Sequence, residues 1–290
     1  MTTRTRRLAA SILLVGAFMG IAVAPAAADV QVGGAVTRSR SFTLDNGQSG
    51  GGELACPTGY RVISAGVAWR QGGAPSTPVG RSISGSAPRK DGRAWFVAGS
   101  NDNVRGALRL TIRCLPVAEL GPLTIVKRDA TPVGSVGDGY VACPVGHQLI
   151  TGGAMWMTSG LPRVPSIGAG QLGGSAPVDA RTWIANGYGA GLLLRVIGLC
   201  RPATFVGTTG IRFNEVAATA LVPTVSIQCA AGKRALSGGT FWKTSAGSII
   251  ATNPLGISRP TIGARGWYAS GWKVGFGSPT LVVVVFCRRI

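Results

Sequence analysis

Six cysteines fall in three pairs, at 56 and 114, 143 and 200, and 229 and 287, with separations of 58, 57 and 58 residues. The first members of the pairs recur after 87 and then 86 residues. Self-similarity at a fixed period of this length marks one supersecondary unit written several times. Aligned on the first cysteine, the copies read Cys56-Pro57-Thr58-Gly59, Cys143-Pro144-Val145-Gly146 and Cys229-Ala230-Ala231-Gly232. Ile63, Ile150 and Leu236 stand at one shared offset, and Gly66, Gly153 and Gly239 at another. Trp69, Trp156 and Trp242 close the motif. Later in each copy, Ser86-Ala87-Pro88, Ser175-Ala176-Pro177 and Ser258-Arg259-Pro260 precede Arg93-Ala94-Trp95, Arg181-Thr182-Trp183 and Arg265-Gly266-Trp267.

Ahead of the copies, Arg4, Arg6 and Arg7 introduce an apolar run that ends in Ala26-Ala27-Ala28. A cationic start, an apolar middle and small residues before a cleavage point describe a secretory signal peptide. Residues 1–28 are therefore expected to be removed on export, leaving a secreted or envelope-associated protein without an integral membrane segment. The copies then occupy 29–116, 117–202 and 203–290, with short joins near Pro116–Pro122 and Arg201–Gly207.

Abundant Gly and Val with few Glu or Lys suits strands and turns rather than helices. Copy one reads as about five strands, near 34–44, 60–70, 79–86, 94–101 and 107–115. The last alternates, with Leu108, Leu110, Ile112 and Cys114 on one face and Arg109, Thr111 and Arg113 on the other. Its copy-three counterpart, Leu281 to Cys287, is apolar on both faces and is expected to lie more centrally. The fold class expected is all-β, with three repeats of about 87 residues packed in pseudo-threefold symmetry. A β-prism-like body and three small β-sandwiches both satisfy it.

Six cysteines leave many pairings open. The repeat selects the simplest scheme, in which each copy closes its own bond: Cys56–Cys114, Cys143–Cys200 and Cys229–Cys287. Export favours disulfides over metal, and a single histidine makes a poor metal site with these thiols. No metal and no cofactor is expected.

The whole chain carries +19, and loss of the three leader arginines leaves +16. Copies one and three hold 11 and 9 basic side chains against 5 and 1 acidic ones, while copy two holds 6 against 4. Outside a cell, the anions available to such a surface are envelope polymers, acidic glycans and head groups. Nucleic acid is not expected for an exported chain.

Catalytic constellations are wanting. Asn46-Gly47-Gln48-Ser49-Gly50-Gly51 has a protease-like look, but Gln48 stands where an acid belongs. His147 is the only histidine, and a serine triad needs base and carboxylate together. The segment reads as a glycine-rich loop. Gly168-x-Gly170-x-x-Gly173 matches a dinucleotide fingerprint by letter, but Gly174-Ser175-Ala176-Pro177 begins no helix to receive a pyrophosphate. No acid pair recurs in all copies, so an enzyme is not expected.

The repeated Arg-x-Trp is the leading candidate for a binding site. Trp95, Trp183 and Trp267 are suited to stack on sugar rings, with Arg93, Arg181 and Arg265 gripping hydroxyls or anions. The structural alternative is that each pair packs within its own strand. For Trp69, Trp156 and Trp242, core packing is expected.

The Cys-Pro-x-Gly opening and the later Ser/Thr-Ala/Gly-Gly resemble a module found in many exported actinobacterial proteins, most without an assigned function. Copy three departs from it at Ala230. The threefold all-β plan is also similar to that of β-prism proteins, among them vitelline-membrane outer-layer protein and several lectins, a likeness of architecture alone. The function expected is secreted, non-catalytic binding of glycans or anionic envelope polymers. A structural or protein-interaction role in the envelope is the alternative, and burial of the Arg-x-Trp tryptophans favours it.

Overall fold

The computed structural model describes residues 30–32, 34–76, 79–89, 91–206, 209–275 and 277–289. The expected signal peptide, 1–28, lies outside the described residues. Among the described residues each copy folds into six strands of five or more residues. In copy one these are β1 (Ala35–Leu44), β2 (Gln48–Ala55), β3 (Tyr60–Gln71), β4 (Arg81–Pro88), β5 (Ala94–Asn101) and β6 (Gly106–Pro116). Copy two forms β7 (Thr124–Ala130), β8 (Val136–Ala142), β9 (His147–Thr158), β10 (Gln171–Pro177), β11 (Thr182–Tyr188) and β12 (Leu192–Pro202). Copy three forms β13 (Thr209–Ala217), β14 (Thr224–Gln228), β15 (Lys233–Lys243), β16 (Leu255–Pro260), β17 (Gly266–Gly271) and β18 (Thr280–Arg289).

Five strands per copy were expected, and β2 is the one missed in copy one. Its Gln-Ser-Gly-Gly-Gly segment looks like a loop because glycine has little intrinsic preference for a strand. Pairing overrides that preference: β2 runs antiparallel to β5 in unbroken register from Gln48↔Asn101 to Ala55↔Ala94. A side chain at Gly51 would place its Cβ 2.0 Å from the Val97 carbonyl oxygen, so the close approach demands glycine.

Strand order settles the architecture. The first sheet runs β1-β6-β3-β16-β17-β14, the second β2-β5-β4-β9-β12-β7, and the third β8-β11-β10-β15-β18-β13. Every sheet thus joins three strands of one copy to three of another, and each copy divides its strands between two sheets. Three sheets shared in this cyclic way form a pseudo-threefold prism, and three separate sandwiches are excluded. The joins are short. Val67 and Ala68 pair with Ser258 and Ile257, Ala154 and Met155 with Ser86 and Gly85, and Thr240 and Phe241 with Ser175 and Gly174.

The joins explain the repeated glycine. A Cβ on Gly153 would lie 2.2 Å from the Ser86 carbonyl oxygen, and one on Gly239 2.1 Å from that of Ser175. On Gly66 it would lie 2.6 Å from Arg259 Cβ. In each case the neighbouring copy's strand fills the space.

Inward-facing positions of all three sheets meet in one core that holds six tryptophans and the second cysteine of every pair. On β6, buried and half-buried residues alternate along the strand, as its sequence period requires. β18 has the same place in its own sheet as β6, so it is not the more central of the two. Its second apolar face is buried because Val282 and Val284 pack against Ala176 and Phe241 where copies two and three meet.

All three disulfides form within copies. Cys56 directly follows β2 in the second sheet and bonds Cys114 on β6 in the first. Cys143 follows β8 and bonds Cys200 on β12, and Cys229 follows β14 and bonds Cys287 on β18. Each bond therefore ties together the two sheets that its copy helps to build. Among the described residues no helix is long and apolar enough to cross a membrane.

Candidate functional site

The Arg-x-Trp motif is divided between interior and surface. Trp95, Trp183 and Trp267 are buried, each about 1–2% exposed, and cannot stack on a sugar from outside. Their indole Nε1 groups donate to Ser86 Oγ at 3.0 Å, Ser175 Oγ at 2.9 Å and Ser258 Oγ at 3.0 Å. Trp95 with Ser86, Trp183 with Ser175, and Ser258 line one cavity of about 30 Å³ where the copies meet. This corrects their assignment as stacking platforms: each stands second in its strand, on the face turned to the shared core, and is buried by the packing of all three copies. Trp69, Trp156 and Trp242 are core residues as expected.

Arg93, Arg181 and Arg265 are exposed at the starts of their strands. Their backbone carbonyls accept from the amides of Cys56, Cys143 and Cys229 at 2.7, 2.8 and 2.7 Å. What recurs at these positions is thus a main-chain clamp beside the disulfide. The Arg181 guanidinium turns back to the Cys143 carbonyl oxygen, with Nη2 at 2.6 Å.

Ser49 lies on β2, so its segment is a strand and not the expected loop. Gln171–Pro177 is a strand, so the Gly168–Gly173 pattern opens no helix. His147 begins β9, and its Nδ1 lies 3.4 Å from the Val145 carbonyl oxygen. Among the described residues no group of three His, Cys, Asp or Glu is placed to hold a metal.

The outward sheet faces differ most where two copies adjoin, along three seams. At the seam between copies one and two, Ala87, Phe96 and Ala98 bury against Met155, Met157, Leu193 and Ile197. At the seam between copies two and three, Ala176 packs on Val282 and Val284, with Phe241 beside them. The seam between copies three and one is basic instead. Arg70 on β3 and Arg109 on β6 face outward there with Arg259 on β16. The six strands of this first sheet contain seven arginines and no Asp or Glu.

Register shows how unusual this is. In copy two, Arg195 lies directly across from Asp129, and its Nε and Nη2 bond the two carboxylate oxygens at 2.6 and 2.7 Å. Arg109 holds the equivalent place in copy one, but the residue across from it is Ser41. Its Nη2 donates to Ser39 Oγ at 2.9 Å. The two guanidinium groups respond oppositely. The hydrogen bond that Arg195 donates to Asp129 holds the Arg195 pKa above its ordinary value, whereas Arg109 is pushed down by burial, then by Arg70 and then by Arg259. A guanidinium remains charged at neutral pH all the same, so three like charges converge with no counterion among the described residues.

Ser41, Thr43, Gln71, Arg70, Arg105 and Arg109 line a groove of about 430 Å³ at one end of this seam. Arg105 has its own partner, Asp45, at 3.4 Å. At the other end the Arg259 guanidinium lies 5.4 Å from the centre of the Tyr268 ring. Only the excess of charge in copies one and three pointed here. Arg259 itself was hidden because it lies on a different copy from Arg70 and Arg109, brought beside them by the join of β3 to β16. No protein-family model matches the chain, and no curated protein is similar to it in sequence.

Proposed function

We propose that this is an exported, non-catalytic binding protein that takes up anionic groups of an envelope polymer or acidic glycan along the seam between copies three and one. The observation that carries this reading is Arg109, flanked by Arg70 and Arg259, facing Ser41 where copy two places Asp129 across from its arginine. Crowded like charges are relieved by an anion, and a partly buried guanidinium binds phosphate or carboxylate more strongly than an exposed one because water competes less. The adjacent hydroxyls and Gln71 add donors suited to a hydroxylated chain. Three disulfides fit an oxidising compartment.

The decisive experiment installs the acid that copy two already has. Ser41→Asp is expected to pair with Arg109, leave the fold intact, and cut retention on immobilised polyphosphate or polygalacturonate about tenfold, or roughly 1.4 kcal/mol. Unchanged retention on both polymers would remove the seam as the binding site. The second reading, a structural or protein-interaction component of the envelope, draws its support from the burial of Trp95, Trp183 and Trp267. Failure of the polyanion experiment would leave it standing.

A further inference from the structure

The seam between copies two and three holds a different kind of site. A cavity of about 310 Å³ opens there between the outward face of β8, β10 and β11 and the Phe241–Ala251 segment of copy three. Tyr140, Ile184, Phe241 and Ile249 contribute to its wall, and Asp138 is the one charged residue among the described residues that line it. Asn186 on β11 is 5% exposed and also lines it. Its Nδ2 donates to the Ile250 carbonyl oxygen at 3.1 Å, while its Oδ1 has no partner among the described residues. A buried acceptor left unpaired costs free energy that a donor on a ligand would recover. The equivalent residues are Ala98 in copy one and Ser270 in copy three, so this acceptor belongs to one seam alone.

The polar groups dictate the chemistry of the occupant. A carboxylate and an amide oxygen both accept, so the ligand must donate. Apolar walls with an aromatic at the rim call for a ring with a hydrocarbon face. Tyr140, 52% exposed, already has the Arg128 guanidinium 4.9 Å from its ring centre. That charge, and the +19 of the whole chain, oppose a cation. An anion is opposed by Asp138. The volume lies at the lower end of the range for ligand pockets, about 300–1,000 Å³, and suits a single ring rather than a chain. From these constraints we infer that this cavity binds one neutral hexose-type sugar residue, its C–H face against Tyr140 and Phe241 and its hydroxyls donating to Asn186 Oδ1 and the Asp138 carboxylate.

The site is independent of the basic seam, and its test separates the two. The full chain after export is titrated with methyl glycosides of glucose, galactose and mannose, followed by saturation-transfer NMR and calorimetry. At least one is expected to bind with a Kd of about 1–10 mM. The exposed substitutions Tyr140→Ala and Asp138→Ala are each expected to weaken it about fivefold with an unchanged melting temperature, and Ser41→Asp to leave it unaltered. Asn186→Leu, which keeps the size and removes the acceptor, is expected to abolish binding. No binding of any glycoside at about 50 mM would overturn the inference. So would affinity indifferent to Tyr140 and Asp138, binding confined to amines such as benzylamine, or loss of sugar binding with Ser41→Asp.

Discussion

Trp95 Nε1 donates to Ser86 Oγ at 3.0 Å, joining the tryptophan of one repeated motif to the serine of another inside the same copy. Copies two and three repeat the bond. Ser-x-Pro looks like turn chemistry in the sequence, yet its serine is the acceptor that lets an indole N–H be buried without loss. Ser86→Ala is expected to strand that donor and cost about 1–3 kcal/mol in urea unfolding. Trp95→Ala should cost more, about 3–5 kcal/mol, through the cavity it leaves. A Trp95→Ala protein of unchanged stability would contradict the core placement.

The repeated glycine gives a sharper prediction about assembly of the copies. At Gly153 an added Cβ meets the Ser86 carbonyl oxygen at 2.2 Å and Ala87 Cα at 2.6 Å, both backbone atoms of copy one. Gly153→Ala must therefore push β9 from β4, and a loss of about 1–3 kcal/mol is expected. Gly210→Ala is the control, since the nearest atom its Cβ would meet is Lys233 Nζ at 3.7 Å. It should stay within about 0.5 kcal/mol of the parent protein. Equal effects of the two would mean that β9 and β4 do not pair as described.

Copies that differ are as informative here as copies that agree. Cysteine spacing was legible because each copy closes its own disulfide, so the period and the pairing coincide. The all-β plan followed from alternation such as Leu108-Arg109-Leu110. Repeated residues mark what every copy needs to fold, which is why Trp95, Gly153 and the Arg93 carbonyl all prove structural. A seam belongs to one pair of copies, so its chemistry lies in departures: Arg259 where the other copies have Ala87 and Ala176, or Ser41 where copy two has Asp129. Those departures gain meaning only when strand register shows which residues face one another.

Asp129 lends itself to a pH test. Its hydrogen bond from Arg195, with burial opposing and Arg163 assisting, holds its pKa below the ordinary carboxylate value. A carboxyl lowered on folding stabilises fully above its unfolded value of about 3.9, and that contribution fades as pH falls through the lower folded value. Asp129→Asn is thus expected to cost about 1–3 kcal/mol at pH 7. The gap between variant and parent should close as pH drops below about 4. A gap that widened on acidification would be inconsistent with an ionised Asp129 in the folded protein.

Charge reversal separates the seam from basicity in general. Copies one and three are both strongly basic, so any polyanion will meet an attractive field, and that attraction is screened over about 8 Å at physiological salt. Retention on isolated cell wall or polyphosphate should therefore fall as salt rises, whichever arginines make contact. Position decides the rest. Arg259 lies on the seam with Arg109, whereas Arg265 is exposed at the start of β17, beside the Cys229 amide that its carbonyl caps. Arg259→Glu and Arg265→Glu change net charge equally and should lower the long-range field alike. Contact at the seam predicts that Arg259→Glu lowers the salt concentration for elution much further than Arg265→Glu. Equal shifts would reduce the interaction to diffuse charge. A larger shift with Arg265→Glu would place the polymer along the exposed motif arginines, Arg93, Arg181 and Arg265, instead of the seam.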